Sequence, residues 1–84
     1  MKDYIELINK EYSEIAKLKN YLNDTDYKLL RELDGGEKMD DNTKLNRANA
    51  RKDINIHEAN IKQLEEEWSI ELSKQIENYR IIKN

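Results

Sequence analysis

The sequence predicts an all-α fold: an antiparallel, coiled-coil-like helical hairpin in which two N-terminal helices pack on one long C-terminal helix. Three observations carry this. Proline is absent and the only two glycines are adjacent, at Gly35 and Gly36, so helix breakers are confined to one place. Valine is absent and threonine occurs only at Thr25 and Thr43, which leaves few β-formers. Apolar residues recur every three or four positions on both sides of the glycine pair.

The first helix is expected over about residues 2–22. Tyr4, Ile5, Ile8, Tyr12, Ile15, Leu18 and Leu22 form its apolar face, and Lys10, Glu14 and Lys17 its polar one. Asn23, Asp24, Thr25 and Asp26 then interrupt the pattern. Such residues compete for backbone hydrogen bonds and favour caps. Thr25 is therefore expected to cap a short second helix over about residues 26–33, with Tyr27, Leu29, Leu30 and Leu33 as its apolar set. Gly35 or Gly36 suits the position just past its end.

Residues 34–41 form the loop, and Asp40 or Asp41 can cap the long helix after it. From about residue 41 to 82 nothing stops a helix, and at ~1.5 Å per residue it would reach ~63 Å. Its main stripe is Ala50, Ile54, His57, Ile61, Leu64, Trp68, Leu72, Ile76, Tyr79 and Ile82. Spacings of eleven, Ile61 to Leu72 and Trp68 to Tyr79, predict a straight or slightly right-handed helix. A thinner stripe on the opposite face carries Leu45, Ala48, Ile56, Ala59, Ile70 and Ile81. It is either ordinary exposed surface or a contact face for the short helix, a second copy or a target. With the loop centred near residue 37 or 38, the numbers of facing residues should total about 75–78, which brings Ile15 near Ile61 and Ile8 near Trp68. The long helix then outruns the first two by roughly ten residues.

At 84 residues the chain is at most one domain with a limited core. It has no cysteine and one histidine, which excludes disulfides and multi-histidine metal sites. No cofactor is expected. Oligomerisation or a bound partner remains as the common route to stability for so small a scaffold. The net charge is −3, with six basic and eight acidic residues in 1–34 and nine and ten in 35–84. Neither half is a basic nucleic-acid surface. No apolar run approaches the ~20 residues of a transmembrane helix, and no signal-peptide core follows the start. A cytoplasmic location in a bacterial host cell is expected.

No motif for chemistry emerges. Ser13, Ser69 and Ser73 lie mid-helix with no histidine in a suggestive position. His57 reads as a packed, hydrogen-bonded histidine rather than a pH switch. Asp34, Glu37, Asp40 and Asp41 do not follow EF-hand spacing, and no Lys-Ser/Thr follows the glycine pair as a phosphate loop requires. Trp68, Tyr4 and Tyr12 read as core; at Tyr21 and Tyr27 an exposed or a buried role fits equally. Arg47, Arg51 and Lys52 form a basic patch, and Glu65, Glu66 and Glu67 an acidic one. Each fits a solvated helix surface, or a surface that steers a protein partner.

The run Tyr21-Leu22-Asn23-Asp24-Thr25-Asp26-Tyr27-Lys28-Leu29-Leu30-Arg31-Glu32-Leu33-Asp34-Gly35, followed by Arg47, Arg51 and Asp53-Ile54-Asn55, resembles a helical-hairpin segment of small phage and prophage proteins of Gram-positive bacteria. That segment reads roughly Leu-x-x-Thr-Asp-Tyr-Lys, an acidic residue and Gly, then spaced arginines and Ile-Asn. The likeness covers residues 18–65 at best. The loop from Gly35 to Asp41 departs from the pattern, as does the lack of a tryptophan between the arginines. The resemblance implies phage origin. Together with the small size and the surplus apolar surface, it leads to a non-enzymatic binding protein, most concretely an anti-CRISPR-like inhibitor of a bacterial antiphage defence system. The alternative is a structural or assembly module of a phage virion. The expected partner is a host or phage protein, with no nucleic acid and no membrane, and the chain is expected to form a homodimer. The candidate partner or oligomer surface is Ile56, Ile70, Ile81, Ile76, Tyr79, Ile82, Glu65, Glu66 and Glu67.

Overall fold

The computed structural model describes residues 2–83, with side chains described through Glu77. It contains two helices rather than three, α1 (Tyr4–Leu33) and α2 (Asp41–Lys83), packed along each other as a hairpin. The molecule is a rod of 73 × 18 × 15 Å.

Helix α1 starts at Asp3, whose side chain accepts a hydrogen bond from the Glu6 amide at 3.0 Å. It ends in a Schellman turn. The Gly36 amide donates to the Arg31 carbonyl at 2.8 Å and the Gly35 amide to the Glu32 carbonyl at 3.2 Å. Gly35 occupies the left-handed position, at φ 82°. A Cβ on Gly36 would lie 3.0 Å from the Arg31 carbonyl oxygen, so the glycine pair answers two separate constraints. Helix α2 is capped by Asp40, which accepts from the Thr43 amide at 3.1 Å and from the Thr43 hydroxyl at 2.5 Å.

The expected break at Asn23–Asp26, with Thr25 as an N-cap, does not occur: α1 is helical throughout. Two effects remove the competition from these polar side chains. Thr25 turns its hydroxyl back into its own helix, donating to the Tyr21 and Leu22 carbonyls at 2.9 and 3.2 Å. Arg47 of α2 takes up the rest. It is only 5% exposed, and its guanidinium donates to the Leu22 carbonyl at 2.8 Å, to the Thr25 hydroxyl, and to Asp26 at 2.7 Å. Arg47 thus belongs to the helix interface and not to a surface patch; Arg51 and Lys52 are exposed.

The core is a ladder of Ile8 and Ile15 from α1 against Ile54 and Ile61 from α2, flanked by Leu18, Leu22, Leu64 and Trp68. Tyr4 and Ala50 are also buried. Ile8, Ile15, Ile61 and Trp68 all belong to this cluster, but the residue stacked on Trp68 is Tyr4, about one turn before the expected Ile8. Ile5 and Tyr12, expected on the buried face of α1, lie instead on its exposed flank.

The register differs from the expectation. Glu32 pairs with Lys44 next to the loop as the expected total requires. Further out, Asp26 meets Arg47, Glu11 meets His57 and Tyr4 meets Trp68. Those α2 partners lie about one to two turns closer to the loop than a symmetric turn would place them. The reason is that the connection is not symmetric. The end of α1 runs past the start of α2, and the chain from Glu37 to Asp40 lines a cleft with Tyr27, Lys28 and Arg31 of α1's last turns. Met39 is buried there. Leu33, at the overshooting end, is 73% exposed.

Replacing Arg47 by Met keeps the aliphatic stem and removes three donated hydrogen bonds, one to a carboxylate. The variant should lose about 1.5–3 kcal/mol in urea unfolding and show faster amide exchange over Asn23–Tyr27. An unchanged unfolding midpoint would refute the clamp.

The Asp40 carboxyl is held below its ordinary value of 3.8 by hydrogen bonds from the Thr43 hydroxyl and amide. A lowered folded-state pKa contributes stability that is present above the unfolded value and lost as pH falls through the folded one. The stability gap between the wild type and Asp40→Ala should therefore hold at neutral pH and shrink in acid below the ordinary carboxylate range. A gap that stays constant through that acid range contradicts this role.

Candidate functional site

The surface with most to offer lies where α2 outruns α1. The hairpin closes at Tyr4, whose ring stacks on Trp68 with centroids 6.0 Å apart and planes 9° from parallel. Beside it, Lys2 Nζ reaches Glu67 at 3.4 Å. Beyond this point α2 continues to Lys83, past the start of α1, with Lys2 and Tyr4 still flanking its Ile70 and Glu71. At ~1.5 Å per residue, this arm from Ser69 onward is ~22 Å long.

The arm keeps the periodicity of the core face. Trp68, Leu72 and Ile76, with Ser69, Ser73 and Glu65, line a shallow groove that prolongs the α1–α2 interface. Leu72 is 43% exposed and Ile76 53%. Glu65 lines the groove, whereas Glu71 lies with Lys2, Tyr4, Glu67 and Ile70 in a separate depression. Leu72 and Ile76 thus leave apolar side chains exposed along a helix face that is core in the preceding turns.

The expected site residues separate into two groups. Ile76 and Glu65 belong to the groove, and Glu67 is engaged by Lys2. Ile56 lies exposed on the opposite face of α2 with Leu45, Ala48 and Ala59; Ile70, also exposed, lines a depression with Lys2, Tyr4, Glu67 and Glu71, and Glu66 is exposed too. The continuation of α1 that replaces the short helix does not cover that opposite face. The side chains of Tyr79, Ile81 and Ile82 lie outside the described residues.

His57 is half-buried, with Nδ1 2.5 Å from Glu11 Oε2, and Asn60 donates to the same oxygen at 3.4 Å. It bridges the two helices as a packed, hydrogen-bonded histidine. Among the described residues no group of three or more His, Asp or Glu side chains could hold a metal ion. No helix among them is long and apolar enough to cross a membrane.

The residue that reading by pattern misplaced is Arg47. The signal was present: Thr43, Arg47, Ala50 and Ile54 succeed one another at core spacing, so an arginine stands on the buried face opposite the Thr25-Asp26 pair.

The Tyr4–Trp68 stack should couple energetically. In a double-mutant cycle with Tyr4→Ala and Trp68→Ala, an interaction of about 0.5–1.5 kcal/mol is expected. Strict additivity would mean that the ring contact does not hold α1's first turn on α2.

Compared with known protein families, curated proteins and solved structures, the chain matches none.

Proposed function

We propose that this chain is a non-enzymatic protein-binding module that works by presenting the arm of α2 to a partner protein. The observation that carries this is the exposure of Leu72 and Ile76 on a helix face whose earlier turns are core. Burying each would contribute roughly 1.5–3 kcal/mol, so a helix carrying both bare into solvent has something to gain from a partner. The hairpin below the arm supplies a preorganised support, because the Arg47 clamp and the Tyr4–Trp68 stack hold the register up to the point where the arm begins.

The concrete form of the reading is a phage-encoded, stoichiometric inhibitor of a bacterial antiphage defence system, of the anti-CRISPR kind. The resemblance of Tyr21–Gly35 and the spaced arginines to phage and prophage hairpin segments supports it. A structural or assembly module of a phage virion is the second reading, and the 73 Å rod favours it, since a stiff elongated hairpin suits a spacer or connector. Neighbouring genes of tail components would support the virion module; neighbouring regulators and small accessory genes would support the inhibitor.

The test is site-specific photocrosslinking in living cells. A photoreactive phenylalanine analogue at Leu72 should give a discrete adduct with another protein, while the same analogue at Lys17, an exposed site on α1, should give none. Equal labelling from both positions, or no adduct from Leu72, would remove the arm as the binding surface.

A further inference from the structure

We draw no further inference here: the strongest candidate, the shallow apolar groove at Trp68, Leu72 and Ile76 along the arm of α2, belongs to the surface already proposed for binding, and nothing in the structure shows what covers it.

Discussion

A single buried guanidinium organises this hairpin. Arg47 stands on the core face of α2, where an apolar residue would ordinarily pack, and it is almost wholly removed from solvent. A buried cation is costly unless its donors are satisfied and its charge is met. Here the Leu22 carbonyl, the Thr25 hydroxyl and the Asp26 carboxylate provide both, and Asp26 keeps one edge in water, with its side chain 52% exposed. The arrangement is available at one register only. Sliding α2 by a turn would set the charge against Leu18 or Leu29 and leave Asp26 and Thr25 to compete with the helix backbone.

The rest of the molecule depends on that register. The isoleucine ladder is nearly periodic and would tolerate being moved by a turn, since Ile8, Ile15, Ile54 and Ile61 are interchangeable as shapes. Arg47 removes that freedom at one end, and the Tyr4–Trp68 stack and the Glu11–His57 bridge mark it further along. Because the clamp sets α1 so that it overshoots the start of α2, the loop must return along α1, and Met39 is buried in doing so. The same displacement uncovers more of the far end of α2. Exposed leucines at the loop end and the bare arm at the other are therefore two consequences of one alignment.

The clamp also accounts for the polar run in the middle of α1 and the arginine that faces it. Thr25, Asp26 and Arg47 are the hydrogen-bonded set. A Thr-Asp pair followed at a distance by an arginine is thus a device for holding two helices in register. It describes how this hairpin is built and is silent about what the hairpin binds. The surface proposed for binding lies elsewhere, on the arm.

Much was legible from residue order. The absence of proline, the single glycine pair and the three-to-four periodicity determined two long helical regions with one loop. The caps at Asp40 and Gly35 came from local chemistry, because each depends on neighbours within a few residues. The stripe that continues through Leu72 and Ile76 was visible as well, and with it the excess length of α2. The tertiary structure decided three things: that Asn23–Asp26 stays helical, that Tyr12 and Ile5 face outward, and where along α2 the covering by α1 stops. All three depend on a partner more than twenty residues away or on a shift of about a turn. A polar run reads as a helix break when only its own backbone competes for it. It reads as helix when a guanidinium from the opposite arm of the hairpin has already taken its oxygens.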